Sequence, residues 1–265
     1  MSWLGAHRID LESCGSTNDE AARLARAGAR HGTVVIAKSQ HAGRGREGRA
    51  WQSPDGLGVY LSAVVRVPLA LVDVPPMTLA IGIGLVDAIR ASGAHAELKW
   101  PNDALVGGRK IAGVLVEAQS QGARLESIVI GIGVNLAGAL PDAVVDTATT
   151  LEAAAGRSID REAFIAALLA GVERWVDRYV AMGLAEIIPA WHDRMARGLL
   201  ARATVSHVPV VGVLDGLAED GAVLVRDADG NVHRVRSGDV EVIRPTLAAR
   251  ELVGTAAADV LPPAP

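Results

Sequence analysis

A loop rich in glycine and arginine constrains this chain more than any other stretch. At residues 43–49 the sequence reads GRGREGR, between apolar runs at residues 34–37 and 59–67 that are typical of buried strands. Glycine allows φ > 0 and close approach of the backbone to a ligand, and arginine offers a planar charged fork for carboxylate or phosphate. The stretch therefore predicts a strand–loop–strand unit with an anion site. A solvated basic loop is the alternative that composition leaves open.

Strand and helix signals alternate through residues 1–198. Glycine-containing turns at residues 107–108 and 121–122 predict two β-hairpins. Apolar positions at helical spacing predict helices over residues 161–182 and 184–197, and a proline pair at 75–76 begins another that ends near residue 91. Thr17 and Glu20 have the spacing of a capping box at a helix start. Hairpins mixed with helices predict an α+β domain with a mixed sheet and flanking helices, rather than a doubly wound parallel sheet.

The pattern changes near residue 199. Short β runs follow one another, separated by Asp-Gly and Ser-Gly turns, as in a small barrel or sandwich. We therefore predict a first domain at residues 1–198, a small β domain at 199–247 and a tail with little fixed structure at 248–265.

Composition narrows the classes of function. The formal net charge of −4 gives no overall electrostatic basis for nucleic-acid binding, so any cationic site must be local. Cys14 is the only cysteine, which excludes an intrachain disulfide and a cysteine-based zinc site and fits a reducing cytoplasm. The sequence has no signal-peptide pattern and no uninterrupted apolar run of about 18 residues. We expect a cytoplasmic protein without a membrane span.

A second polar cluster lies later in the chain, reading KWPND at residues 99–103 and GRKIAG at 108–113. Lys110 begins a run that predicts a buried strand. A lysine in that position commonly keeps its ammonium group at the surface, but the glycines at 107, 108 and 113 leave the space around it bare. A third element, GIGVN at residues 131–135, ends in Asn135, which is either a turn former or a hydrogen-bonding group for a ligand.

Two common phosphate-binding motifs are excluded. Residues 43–48 match the pattern G-x-G-x-x-G, but the following Trp51-Gln52-Ser53-Pro54 does not begin a helix, as a dinucleotide-binding fold requires. A Walker A motif needs Ser or Thr after its lysine, and Lys110 is followed by Ile111.

Taken together, these segments resemble biotin–protein ligases. The matching segments, in family order, are GSTN at residues 15–18, the stretch from Gln40 to Pro54, KWPND at 99–103, the stretch from Arg109 to Glu117, and GIGVN at 131–135. The resemblance implies a biotin–lipoate ligase fold of the class II aminoacyl-tRNA-synthetase type over residues 1–198, followed by a small SH3-like β-barrel. Glu47 departs from the family pattern, which often has a basic or neutral residue there.

The resemblance also implies an activity. The carboxylate of biotin attacks the α-phosphate of ATP, with Mg2+ on the phosphates, and biotinyl-5′-AMP then acylates a lysine of a biotin carboxyl carrier domain. The implied partner is the carrier of a biotin-dependent carboxylase, a homodimer stays open, and we expect neither DNA nor membrane as a partner. Since the chain begins directly at the ligase segments, we expect it to lack the N-terminal DNA-binding domain of bifunctional relatives.

Residue roles follow from the same resemblance. Lys110 is expected to hold the biotin carboxylate and then the acyl-phosphate oxygens, and Arg46 to stabilise the developing charge. The implied biotin site comprises Ser16, Thr17, Asn18, Gln40, Arg44, Gly45, Arg46, Lys110 and Gly113. The candidates for nucleotide contacts are Arg49, Trp51, Asn102, Asp103 and Asn135. No metal-binding residue is predicted, and the loop at residues 43–49 is expected to become ordered over biotin.

Three alternatives are weighed against this interpretation. A lipoate–protein ligase uses a related fold and the same adenylate chemistry, but the glycine–arginine loop and the KWPND segment favour biotin. A biotin-binding module without catalysis is disfavoured because both Lys110 and Arg46 are present. Nucleic-acid binding through the small β domain would rest on fold type alone.

Overall fold

The computed structural model describes residues 2–205, 208–236, 238 and 240–243. The tail predicted at residues 248–265 lies outside the described residues.

The first domain is built on a seven-stranded mixed sheet. Its strands are β1 (His7–Cys14), β2 (Thr33–Gln40), β3 (Gly58–Val65), β4 (Glu97–Lys99), β5 (Asp103–Val106), β6 (Arg109–Gln121) and β7 (Arg124–Asn135). The order is β1-β2-β3-β7-β6-β5-β4, in which β1 and β2 are parallel and the other neighbours antiparallel. Gly107 and Gly108 both have positive φ (55° and 71°), which is the geometry of a two-residue hairpin turn. The predicted mixed sheet and both hairpins are confirmed.

Helices cover the two faces of this sheet unequally. They are α1 (Thr17–Arg26), α2 (Met77–Ala91), α3 (Leu151–Ala155), α4 (Arg161–Met182) and α5 (Leu184–His192). The longest two, α2 and α4, pack on one face and approach closely at a pair of glycines, because a Cβ on Gly84 would lie 2.7 Å from the backbone of Gly171. The short α1 covers only part of the other face with small alanine side chains. The uncovered remainder of that face is where a ligand has room.

The stretch Leu71–Ala91, which includes α2, is apolar enough to cross a membrane by length and composition, but 67% of the 18-residue segment that meets this criterion is buried inside the protein, as expected of a core helix. The prediction that α5 extends to residue 197 is wrong: α5 ends at His192. Its continuation turns to hydrogen-bond with the edge strand β4, where the Leu98 N–H donates to the Arg194 carbonyl at 2.7 Å. Sheet pairing therefore replaces the last helical turn.

A second sheet follows. It contains β8 (Leu200–Val205), β9 (Val208–Leu217), β10 (Val223–Arg226), β11 (Val232–Val235) and β12 (Glu241–Val242), all antiparallel, in the order β11-β10-β9-β8-β12. Within the residues described, β11 and β12 are edge strands, so the structure shows a five-stranded sheet and not the closed barrel that was predicted. The sheet is anchored to the first domain by a hydrogen bond from the Trp100 indole to the Gly221 carbonyl (3.0 Å).

Candidate active site

The N-terminus of α1 forms one wall of the site. Ser16 is the N-cap residue and Thr17 the first helical residue, so the predicted capping box of Thr17 and Glu20 is wrong. The Thr17 N–H and hydroxyl both contact the side-chain oxygen of Gln40, at 2.7 and 3.0 Å. Gln40 comes from the end of β2 and accepts from one of the first N–H groups of the helix, which have no partner within the helix. The Ser16 and Thr17 side chains are thereby left to line a cavity.

Behind this wall lies a buried polar network that the sequence analysis missed. Ser62, on β3, is fully buried, and its hydroxyl oxygen lies 2.8 Å from Thr17 Oγ1 and 2.6 Å from Asn18 Oδ1. The Asn18 amide nitrogen donates to Glu117 Oε2 on β6 at 2.6 Å. Each side chain holds the next in a fixed orientation, because a buried polar group without a partner is costly.

Three glycines on β6 and β7 make room for the site. A Cβ on Gly131 would lie 2.1 Å from Asn18 Oδ1, and one on Gly133 would lie 2.5 Å from the Trp51 ring. On the adjacent strand, a Cβ on Gly113 would lie 3.3 Å from Lys110 Cε. Successive residues of a strand point to opposite faces, so residues 131 and 133 share a face. Glycine at each position lets a functional side chain lie directly on the sheet.

Two lysines meet one carboxylate at the centre of the site. Lys110 Nζ lies 2.6 Å from Asp103 Oδ1, and Lys99 Nζ lies 3.3 Å from Asp103 Oδ2. Lys99, to which the sequence analysis assigned no role, is 16% exposed in its side chain. Its burial lowers the pKa of Lys99, and the attraction of Asp103 partly opposes that effect. Both ammonium groups are thus held in position before any anion binds.

The arginines of the glycine–arginine loop have different partners. Arg44 forms ion pairs with Asp19 (2.7 Å) and Glu117 (3.3 Å), and Arg46 donates to the Gly238 carbonyl between β11 and β12 (3.1 Å). Burial lowers the pKa of Arg46. Glu47 has a positive φ of 55° and forms an ion pair with Arg49 at 3.2 Å. The loop is closed at its base, where Gly45 N–H donates to the Arg49 carbonyl at 2.7 Å.

One cavity of about 150 Å³ collects most of the predicted site residues. Every predicted biotin-site residue lines it, as do four of the five nucleotide candidates: Arg49, Trp51, Asn102 and Asp103. Its lining includes five cationic side chains, Arg44, Arg46, Arg49, Lys99 and Lys110, against one carboxylate, that of Asp103. Such an excess of fixed positive charge suits an anionic ligand and can stabilise negative charge that develops during a reaction.

Asn135 lies elsewhere, in a second cavity of about 200 Å³. Trp51 and Lys110 line both cavities, and the second is otherwise mainly apolar. Part of its wall comes from residues 137–148. That segment is held by the backbone of Lys110, whose N–H donates to the Thr147 carbonyl at 2.8 Å. A polar, cationic compartment and an apolar one therefore meet at Lys110.

Known proteins resemble this chain over most of its length. Residues 12–135 match the Biotin/lipoate A/B protein ligase family. The bifunctional ligase/repressor BirA of Bacillus subtilis is 34% identical over 244 residues, which cover 90% of this chain and 75% of that protein. The biotin--[acetyl-CoA-carboxylase] ligase of Mycobacterium tuberculosis is 34% identical over 260 residues, 91% of each chain.

Solved structures extend the resemblance to three dimensions. The biotin protein ligase of Aquifex aeolicus, in complex with biotin and ATP, has a TM-score of 0.77 at 26% identity and covers 91% of this chain and 100% of that one. Three observations indicate the same family: the order of the site segments, the mixed sheet and the sequence similarity to these ligases. The chain belongs to the biotin protein ligase family.

Proposed function

We propose that this protein activates biotin with ATP to form biotinyl-5′-AMP and transfers the biotin to a lysine of a biotin carboxyl carrier protein. The observation that carries the proposal is the position of Lys110, where a polar cationic cavity and an apolar cavity meet. A mixed anhydride of a carboxylic acid and a nucleoside phosphate would place its charged centre at that junction. Relatives named as biotin ligases support the same reaction.

The polar end of the first cavity suits the ureido ring of biotin. That ring has two N–H donors and one carbonyl acceptor, and Ser16, Thr17, Asn18 and Gln40 offer both hydroxyl and amide groups. The dithiolane ring of lipoate has no hydrogen-bonding group and could not use the donors and acceptors of these side chains, which a site built for a polar ligand penalises. The geometry therefore favours biotin over the lipoate alternative.

The central cations suit the first chemical step. A biotin carboxylate oxygen bonds to the α-phosphorus of ATP, and the bond from that phosphorus to the bridging oxygen breaks, so that pyrophosphate leaves with the electron pair. Two anions must approach each other, and we propose that Lys110 and Arg46 offset their repulsion, with Lys99 and Arg49 nearby. Asp103 already holds the ammonium groups of Lys99 and Lys110 in place, so these two groups need little reorganisation when the ligands bind.

The second step uses the same centre. A neutral carrier lysine amine bonds to the acyl carbon, the bond to the phosphate oxygen breaks, and AMP leaves with that electron pair. The amine loses one proton as the amide forms. We propose that Lys110 stays on the phosphate oxygens and stabilises the leaving AMP.

The nucleotide is proposed to extend into the second cavity. Its apolar lining, with Trp51 at one side and Asn135 at another, suits the flat faces and polar edge of adenine. Arg49, Asn102 and Asp103 line the first cavity and are proposed to face the phosphates and ribose. The described residues contain no group of three or more His, Cys, Asp or Glu that could hold a metal. We therefore propose that Mg2+ enters with ATP, since Mg2+ commonly binds phosphates and water with few protein ligands.

We propose a carboxylase carrier domain as the protein partner, supported by the printed name of the M. tuberculosis relative, and leave a homodimer as a second assembly to test. We also propose that the second sheet curls into a small SH3-like barrel, because β11 approaches β8 although the two strands are not neighbours in the sheet. A domain boundary at residues 198/199 is supported by the start of β8 at Leu200.

The proposal is tested by incubating the purified protein with ATP, Mg2+, biotin and a carrier-domain fragment. Mass spectrometry of the carrier should show one added biotinyl group. Replacing biotin with lipoate, omitting ATP, or replacing the target lysine of the carrier with arginine should each abolish the mass shift. A carrier that gains lipoyl and not biotinyl groups would contradict the proposal.

A further inference from the structure

We propose that Glu117 is a positioning residue for biotin: it orients the Asn18 amide and thereby sets the hydrogen-bonding pattern of the cavity. This inference rests on the proposed function. Glu117 itself is not among the residues that line the cavity, and it acts through a residue that does.

The two hydrogen-bonding neighbours of the Asn18 amide determine its orientation. Its side chain is buried (4% exposed), with Glu117 Oε2 at 2.6 Å on one side and the Ser62 hydroxyl at 2.6 Å on the other. A carboxylate only accepts hydrogen bonds, so the amide nitrogen must face Glu117 and the amide oxygen must face Ser62. With a neutral amide at position 117, the reversed orientation of Asn18 would be equally well satisfied. The charge of Glu117 therefore selects one of two orientations.

The hydroxyl groups of Ser62 and Thr17 continue this fixed order of hydrogen-bond donors and acceptors. Ser62 has one proton, and the Asn18 oxygen can only accept, so Ser62 donates to Asn18. The Thr17 hydroxyl then donates either to Ser62 or to Gln40. One carboxylate on β6 consequently restricts the donor and acceptor roles of two residues that line the cavity, Asn18 and Thr17.

Glu117 also contacts the glycine–arginine loop, which calls for a matched control. Arg44 lies 3.3 Å from Glu117 and 2.7 Å from Asp19. Asp19 thus shares the ion pair with Arg44, but among the described contacts it has none with Asn18. Exposed ion pairs of this kind contribute little. Asp19→Asn therefore reports the effect of the loop ion pair alone, whereas Glu117→Gln changes both the ion pair and the orientation of Asn18.

The test compares biotin binding by the wild type, E117Q and D19N in the full-length protein by isothermal titration calorimetry. We expect E117Q to weaken biotin binding by about tenfold, because a charge-assisted hydrogen bond that fixes a ligand-facing amide is lost. D19N should change the affinity by no more than about twofold. At saturating biotin, kcat and the KM for ATP of E117Q should match the wild type, a split that general damage to the fold would not produce.

Several results would overturn the proposal. They are a biotin affinity of E117Q within about twofold of wild type, an equal loss in D19N, or a loss of kcat at saturating biotin. If E117Q does not fold, Ser62→Ala gives a second test, since it removes the other hydrogen bond to Asn18 without changing charge. It too must weaken biotin binding and spare the KM for ATP. Absence of biotin binding by the wild type would instead refute the proposed function.

Discussion

Replacing Gly131 by alanine should disrupt the biotin end of the site. The new Cβ would lie 2.1 Å from Asn18 Oδ1, whereas carbon–oxygen contacts are ordinarily no closer than about 3.3 Å. The Asn18 amide must therefore move by more than about 1 Å. Its hydrogen bonds to Ser62 and Glu117, both 2.6 Å long, cannot both be kept after a shift of that size. Neither relaxation to solvent nor a new partner is at hand, because Asn18 is buried.

The magnitude follows from those two bonds. Leaving buried polar groups unsatisfied costs about 1–3 kcal/mol each, so for two such groups we expect the free energy of unfolding to fall by about 2–6 kcal/mol. Displacement of a ligand-facing amide should weaken biotin binding by at least about tenfold, since about 1.4 kcal/mol corresponds to a factor of ten. Urea denaturation measures the first quantity and calorimetric titration with biotin the second.

The matched comparison is Gly133→Ala, two residues along the same strand. Its Cβ would lie 2.5 Å from the Trp51 ring, which belongs to the partly exposed wall between the cavities. We expect G133A to raise the KM for ATP more than it weakens biotin binding. The assignment of the two cavities is wrong if G131A binds biotin as tightly as the wild type. It is also wrong if both variants impair the binding of the same substrate.

Three further predictions concern the lysine, the loop and the tyrosines. Lys110→Ala should reduce adenylate formation by about a hundredfold or more, because it removes the central cation, and an adenylation rate like that of wild type would refute its role. Protease cleavage within residues 44–49 should slow when biotin and ATP are added together, as the loop closes over the ligand; unchanged cleavage would contradict that closure. Burial raises the pKa of Tyr60 and of Tyr179 from 10.0 to about 12. Because both folded pKa values are raised, the neutral phenols favour the folded state below pH 10, and stability should fall as pH rises from about 10 to about 12. Thermal melts across that range, with absorbance titration of the phenols, measure this loss, and a flat melting temperature would contradict it.

Local chemistry made much of the fold predictable. The glycine pair at residues 107–108 specified a hairpin because both positions need positive φ, and the apolar spacing of residues 161–182 matched α4. Thr17 was misassigned as a cap because its acceptor, Gln40, lies on a different element. The end of α5 was misassigned for the same kind of reason, since pairing with β4 is a tertiary effect.

The site residues likewise fall into those that the sequence predicts and those that only the folded structure reveals. Residues whose types suggest anion binding, such as Lys110 and Arg46, were found from the sequence and do share a cavity. Ser62 and Lys99 could not be recognised, because an isolated serine in a strand and a lysine beside a tryptophan acquire meaning only through burial and neighbours. Gly131 and Gly133 leave room for Asn18 and Trp51, which come from distant parts of the sequence, so this role follows only from the folded structure.

The central claim is that Lys110 and its neighbouring cations bring the biotin carboxylate to the α-phosphate of ATP. Exchange of labelled pyrophosphate into ATP, measured without any carrier protein, tests that step alone. We expect exchange that requires biotin and Mg2+ and is lost in Lys110→Ala. Exchange that proceeds without biotin, or that survives intact in the Lys110 variant, would contradict it.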